Sequence, residues 1–501
     1  MATASLSIEK AAAGATSPAV LEFLKSSQKQ LLIGGKWVPS KSGKTFETIN
    51  PANEEVLALI AEGDKADVDE AVAAARRAFD DGRWPALGPH QRARQILRIA
   101  ETLETHGEEL AELETLDNGT PIWMTRAMLA MAAETFRYFS GWPSKIYGET
   151  NPSDPAIFNY TLREPVGVCG LIIPWNAPLM LLARKIAPAL ACGNTVVFKP
   201  AEQTPLTAIR FGELLSEVGI PDGVVNIVTG FGPGAGSAIV EHPGVDKVSF
   251  TGSPEVGKLI LAASAGNLKR VSLELGGKSP NVIFSDANMG AAVPTAMMGF
   301  CANSGQICSA GTRIFVQRDC YEEFADRLAA AAGALKSGDP FDSETKLGPL
   351  VSQEQFDRVR SYVDIGRNEG AKLALGGQAG FDRGYFFAPT IFTGVENRMK
   401  IAREEIFGPV ASLIPFKDEN DAVLQGNDTV YGLAAAVWTS DLSRAHKIAR
   451  ALKAGTVWIN TYGFIDPISP VGGFKQSGIG RELGRHAIDL YTQIKSVYLK
   501  L

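Results

Sequence analysis

VGVCGLIIPWNAPLMLLARKIAPALACGNTVVFKP, residues 166–200, decides the fold. It opens on an apolar run, VGVCGLII, turns at PWNAP, continues as the helical stretch PLMLLARKIAPAL and closes on a second apolar run, TVVFKP. Short apolar runs separated by helical segments read as parallel strands covered on both faces by crossover helices. Downstream the texture repeats in VVNIVTG (224–230), KVSFTG (247–252) and RVSLEL (270–275). After Lys278 a second set begins, NVIFSD, TRIFVQ, KLALGG, PTIFTGV, VASLIPF, AAAVWTS and GTVWIN, again interleaved with helical segments. The reading is two α/β domains in sequence. A boundary near Gly276-Gly277 puts the end of the RVSLEL strand in the crevice between them, where ligand sites concentrate.

Upstream, QLLIGGKWVPSKSGKTFETINPA (30–52) predicts a hairpin region. Asp67 with Glu70 predicts a capping box that opens an alanine-rich helix, and His90 to Asn118 reads as one long amphipathic helix ended by Asn-Gly-Thr-Pro. The first ~20 residues are expected to be mobile. At 501 residues the chain exceeds what one core supports, since cores stop growing near roughly 250–300 residues. Its 45% hydrophobic and 21% charged residues, with mean hydropathy +0.01, describe a packed globular protein. A net charge of −6 gives no basic footprint for nucleic acid. The N-terminal MATASLSIEK mixes polar residues into its alanines, and no apolar run reaches the ~20 residues of a membrane span. No membrane partner and a cytoplasmic location are expected. Five scattered cysteines, without CxxC or HExxH, predict neither a disulfide framework nor a metal site.

Six stretches carry chemistry. GFGPGAG (Gly230 to Gly236) follows a strand as a dinucleotide loop does, but Ala235 stands where GxGxxG needs its last glycine. SFTGSPEVG fits phosphate better: after Gly252, Ser253 suits an N-cap and Pro254 the first helical position, although an ordinary capped helix has the same signature. In CANSGQICSAGTR (301–313), Cys308 sits among small and polar residues at a turn or helix start, and a helix N-terminus there would lower its pKa; Cys301 reads as packing. In LELGGKSP, Glu274 ends an apolar strand, so burial should raise its pKa and suit it to general-base work. A buried salt-bridge carboxylate is the competing account. Asn176 of IIPWNAPLM fits an oxyanion donor or a turn residue. Lys199 and Glu202 of FKPAEQTP stand at a strand's carboxyl end, as ligand contacts or solvated charges.

Together these motifs, from INPANEEV to GGFKQSGIGRELG and including FTGS and EEIFGPV, resemble the aldehyde dehydrogenase superfamily over nearly the whole chain. The resemblance implies an NAD-dependent, non-acylating enzyme that takes a small-molecule aldehyde. By it, Cys308 attacks the aldehyde carbon, Asn176 and the Cys308 N–H hold the oxyanion, and Glu274 deprotonates the water that hydrolyses the thioester. For NAD it implies Lys199 and Glu202 at the adenosine ribose, Trp175, Gly252 and Ser253 on the pyrophosphate path, and Gly232 and Val256 at the adenine. Leu275, Gln355, Glu405 and Phe407 are implied near the nicotinamide end. It further implies an α/β fold with a Rossmann-like nucleotide-binding domain (1–146 and 166–276), an α/β catalytic domain (277–486) and a strand-rich oligomerisation element (147–165 and 487–501). A homodimer or homotetramer follows, and the tail KSVYLKL has the alternation of an added strand.

For the aldehyde tunnel the resemblance implies Ala177, Met180, Arg184, Ile307, Ser309, Ile465 and Val471. Many relatives carry large aromatics at several of these positions, so small side chains imply a wide pocket for an aryl or arylalkyl aldehyde, and the N-terminal and FIDP segments resemble phenylacetaldehyde dehydrogenases. Arg184 departs from that pattern. It either reads a carboxylate on the substrate, as in a semialdehyde, or points to solvent beside Lys185, and basic helix faces are usually solvated. Among rivals, an enzyme passing its acyl group to CoA would typically lack Glu274, and a non-catalytic derivative would lose Cys308 or Glu274. A cofactor-free cysteine hydrolase would need a histidine in these motifs, and there is none.

Overall fold

The computed structural model describes residues 8–26 and 28–501. An eight-stranded sheet runs in the order Gly478–Ile479, Arg270–Glu274, Lys247–Thr251, Val168–Ile172, Thr195–Lys199, Val225–Ile227, Leu31–Ile33, Lys36–Val38. Its five central strands are parallel, and the outer pairings are antiparallel. A seven-stranded sheet runs Lys372–Leu375, Thr390–Thr393, Val410–Phe416, Arg313–Gln317, Pro280–Ile283, Ala434–Trp438, Thr456–Ile459, parallel except for its first pair. Every apolar run read as a strand is one. Val168–Ile172, Thr195–Lys199, Lys247–Thr251 and Ala434–Trp438 are buried along their whole length because helices cover both faces. A three-stranded sheet joins Thr492–Lys500, Ile157–Pro165 and Thr150–Asn151, two chain segments far apart in sequence.

Three local expectations are corrected. The capping box belongs to Asp64 and Asp67: Asp64 accepts from Ala66 N, and Asp67 Oδ2 accepts from Asp64 N at 3.0 Å. Asp67 is fully buried and cannot also start the helix. The helix expected over 90–118 is two helices, Pro89–Thr105 and Gly107–Asn118, broken at His106. Its second half is not amphipathic, because Glu109 to Asn118 are all buried. Each carboxylate there accepts from outside its own helix: Glu109 from Arg210, Glu112 from Thr16 and Ser17, Glu114 from Leu179 N, Asp117 from Thr48 and Leu206 N. Glu112 thereby fastens the N-terminal segment, where the helix Pro18–Lys25 buries Val20 and Leu24. The expected mobility is therefore not found over residues 8–26, and residues 1–7 lie outside the described residues.

Glu114 gives a pH signature. Burial pushes its carboxyl from 4.5 up to about 8. The folded chain thus holds a proton that the unfolded chain releases, so this contribution to stability is complete below about pH 4.5 and is lost as the pH rises through 8. Glu114→Gln keeps an acceptor for Leu179 N without an ionisable proton. Urea unfolding across that window is expected to show the variant gaining on the parent with rising pH, by up to ~1.4 kcal/mol per pH unit. Parallel profiles would contradict the protonated state.

Candidate active site

Chain order reverses at the strand Val168–Ile172: the next two strands extend the sheet to one side, and Lys247–Thr251 with Arg270–Glu274 extend it to the other. Ligands bind outside the carboxyl ends of strands at such a switch point. Asn176 follows the first strand there, Lys199 ends the second, Gly252 and Ser253 follow Lys247–Thr251, and Glu274 ends the last. Five residues scattered over 98 positions share one edge of the sheet because parallel strands align their carboxyl ends.

Cys308 arrives from the other sheet's side. The helix Met289–Cys301 ends in three residues of left-handed backbone, Asn303 (φ 49°), Ser304 (φ 54°) and Gly305 (φ 74°). Gly305 admits no side chain, since a Cβ would lie 2.1 Å from the Gly408 carbonyl oxygen. Cys308 then sits on a turn. The expected helix N-terminus is absent there and does not lower its pKa. Burial first, and the nearby Glu405 second, push the thiol up to about 12, which Arg184 opposes. Asn176 Nδ2 donates to Gln306 O at 2.8 Å, two residues before Cys308. This bond spans 130 positions, so Asn176 is not a local turn residue.

The paired glycines after Glu274 have separate jobs. At Gly276 a Cβ would lie 2.1 Å from Glu405 Oε2, and at Gly277 one would lie 2.5 Å from the Cys308 carbonyl oxygen. Only bare backbone lets the Glu274 strand, Glu405 and the Cys308 turn converge. Glu274 is 8% exposed, and its carboxylate forms no ion pair among the described residues, which removes the salt-bridge account. Burial and then the charge of Glu482 raise its pKa, while Lys185, Arg184 and Arg481 restrain it. The Lys185–Glu482 pair, at 2.5 Å and with Lys185 Nζ also on Ser249, was not read from the sequence. An acid in GGFKQSGIGRELG was visible, but not its lysine partner 297 positions away.

A model of the aldehyde dehydrogenase family matches residues 37–497. The chain belongs to the aldehyde dehydrogenase family. It is 51% identical over 475 residues to the human mitochondrial aldehyde dehydrogenase, covering 94% of this chain and 92% of that one. To an aldehyde dehydrogenase of Aspergillus niger it is 51% identical over 472 residues, covering 94% and 95%. The NAD+ complex of the Bacillus cereus aldehyde dehydrogenase superposes with a TM-score of 0.96 at 48% identity, covering 97% of this chain and 99% of that one. The protein is an enzyme that oxidises aldehydes with NAD. Among its described residues no helix is long and apolar enough to cross a membrane.

In this aldehyde dehydrogenase the residues expected at NAD fall into buried and exposed groups. Lys199 is buried rather than solvated, its Nζ 2.9 Å from Pro200 O and 3.4 Å from Glu202 Oε2. Burial lowers its pKa, and Glu202 opposes the shift. Thr251 Oγ1 is buried without a partner, and Gly232 faces open space, with nothing within 4 Å of a Cβ placed there. Ser253 caps the helix Pro254–Ala263, accepting from Val256 N at 3.3 Å, while Leu275 packs beneath Gly257. At the other end Glu405 Oε1 accepts from Gly277 N at 3.1 Å, and Gln355 donates to Phe407 O at 2.7 Å. The Phe407 ring meets Trp175 edge-on at 5.2 Å. Gly232 and Val256 are exposed.

Along the expected tunnel, Ala177, Met180, Ile465 and Val471 pack on one apolar cluster. Ile307 and Ser309 flank Cys308, and Ser309 O accepts from Tyr462 Oη at 2.6 Å. Arg184 corrects the solvated reading: it is 6% exposed, beside a Lys185 that is 0% exposed. Its Nη2 lies 3.6 Å from Met180 Sδ, the expected shared helix face, and its Nε is buried without a partner. No acid pairs with it among the described residues, and its charge acts on both Cys308 and Glu274.

Proposed function

We propose that the enzyme works through a thioester on Cys308, with Asn176 as oxyanion donor and Glu274 as the base for hydrolysis. The supporting observation is the convergence of these three on one tether, Asn176 bound to Gln306 O and Gly277 lying against the Cys308 carbonyl. Once the Cys308 thiol has released its proton to solvent, attack of its sulfur on the aldehyde carbon moves charge to the carbonyl oxygen, which accepts from the second Asn176 Nδ2 hydrogen and the Cys308 N–H. NAD, when bound, accepts the hydride from that carbon. Water then adds to the thioester while Glu274 takes its proton, and the acid departs as the sulfur is freed. Lys199 and Glu202 would hold the adenosine ribose, Trp175, Gly252 and Ser253 the pyrophosphate, Gly232 and Val256 the adenine. Gln355, Glu405, Phe407 and Leu275 would hold the nicotinamide end.

The substrate turns on Arg184. A buried guanidinium without an acid partner is costly unless a ligand completes it, so the reading favoured is an aldehyde carrying a carboxylate at its far end, a semialdehyde. The aryl or arylalkyl reading draws on the small Ala177 and the apolar Met180, Ile465 and Val471. Arg184→Ala is expected to raise KM for succinic semialdehyde by about tenfold or more, the loss of a charged hydrogen bond, and to leave KM for phenylacetaldehyde within about threefold. Equal effects on both substrates would return the tunnel to the aryl reading.

The proposed division is an NAD-binding domain over 1–146 and 166–276, a catalytic domain over 277–486 and an oligomerisation element over 147–165 and 487–501. Phe158, Leu162, Ile494, Tyr498 and Leu499 are exposed on the last, an apolar surface suited to a homodimer or homotetramer. A cytoplasmic location goes with this reading.

A further inference from the structure

Asn176 is gripped twice by a single loop. Its side chain donates to Gln306 O at 2.8 Å, and its main-chain carbonyl accepts from Asn303 Nδ2, also at 2.8 Å. The loop closes on itself, because Gln306 N and Gln306 Nε2 both donate to Asn303 O, at 3.0 and 3.1 Å. The Asn176 carbonyl can only accept, which fixes which end of the Asn303 amide faces it, and Asn303 Oδ1 in turn accepts from Thr120 Oγ1 at 2.6 Å. Gln306 Oε1 accepts from Val351 N at 2.9 Å. All of these groups are buried, and the loop runs through left-handed backbone at Asn303, a residue type that tolerates it, and at Ser304, which seldom adopts it. Strained backbone persists where surrounding contacts over-determine it, and such places cluster at active sites.

We propose that Asn303 is a positioning residue that aims the Asn176 amide at the oxyanion, by holding the Asn176 main chain while Gln306 holds its side chain. The inference rests on the oxyanion role proposed for Asn176. The Asn303 side chain bonds the Asn176 carbonyl and Thr120, so its effect on the oxyanion is carried by Asn176. The ring makes the separation between Asn176 and the Cys308 turn a property of one short loop, set before any aldehyde arrives.

Asn303→Asp preserves shape but sets a carboxylate oxygen against the Asn176 carbonyl, so the bond is lost and replaced by repulsion. Three quantities are measured: the NADH burst rate with aldehyde and NAD in excess, alkylation of Cys308 by iodoacetamide, which needs no oxyanion donor, and NAD affinity by fluorescence. The burst rate is expected to fall about tenfold to a hundredfold, with alkylation and NAD affinity within about threefold of the parent. Asn176→Ala alone should cost on the order of 10²–10³ in the burst rate, and adding Asn303→Asp to it should cost less than about threefold more. If the double variant instead multiplies both losses, Asn303 does not act through Asn176 and the proposal fails. An alkylation rate that falls in step with the burst would likewise overturn it, by marking a collapsed loop. A loss under about tenfold for Asn176→Ala would remove the oxyanion reading itself. Should Asn303→Asp fail to fold, Thr120→Val frees the Asn303 amide, and a burst loss of roughly threefold to tenfold with the same non-additivity is expected; an unchanged burst rate would overturn the proposal.

Discussion

Cys308→Ala is expected to end aldehyde-dependent NADH formation, a loss of at least ~10⁴-fold, while NAD affinity stays within about threefold of the parent. No other thiol can substitute: Cys169, Cys192, Cys301 and Cys320 are all buried elsewhere in the packed structure. The turn should outlast the sulfur, because Ser309 O stays bound to Tyr462, Gln306 to Asn176, and the Cys308 carbonyl against Gly277. The groups expected at NAD lie on other segments, so the variant should still bind the cofactor. Absorbance at the NADH band gives the first quantity and fluorescence titration the second. Turnover retained above ~1% would sink the assignment of the nucleophile.

For Glu274→Gln the expected result is a trapped acyl-enzyme. The thioester can form without a base for water, so one equivalent of NADH should appear quickly per active site before turnover slows by roughly 10²–10⁴-fold. Intact-mass spectrometry after adding aldehyde and NAD should find the acyl group on the chain. The substitution suits the test because among the described residues Glu274 carries no ion pair that its loss would break, and Glu482 keeps its bond to Lys185. In the parent, burial and Glu482 hold the Glu274 carboxyl well above the usual carboxylate range. Deacylation should therefore weaken as the pH falls through that raised value, and the variant should lack this limb. Loss of the burst together with turnover would instead place Glu274 before the thioester, at activation of the thiol. Unimpaired turnover without an adduct would remove its role altogether.

Much of the molecule was legible in the chain because its signals are local. Each buried parallel strand is a run such as TVVFK, which needs no partner to be recognised. Ser253 and Pro254 announced a helix start that the structure contains, since capping depends on residues three apart. Errors came where a local signal had a distant competitor. Asp67 looked like an N-cap, but it is the third residue of a helix capped by Asp64 and is drawn inward, where it also accepts from Lys41 N. Glu109 to Asn118 looked like half of an amphipathic helix, yet its acids are buried because other segments bring donors to them.

The sequence by itself determined the alternation of strands and helices, the family, and which residue types stand at strand ends. Those are properties of periodicity and of short motifs. Tertiary structure alone decided whether a charge is solvated or buried. Arg184 and Lys185 read as a basic helix face, but their helix is packed on all sides, so one became a buried guanidinium without an acid partner among the described residues and the other the buried partner of Glu482. It also decided that the Cys308 thiol is raised and not lowered, because burial and Glu405 act on it where a helix N-terminus was expected. The physical reason is common to both: desolvation and Coulomb interactions depend on what lies within a few ångströms in space, and for these groups the deciding neighbours are 97 to 297 positions away in the chain.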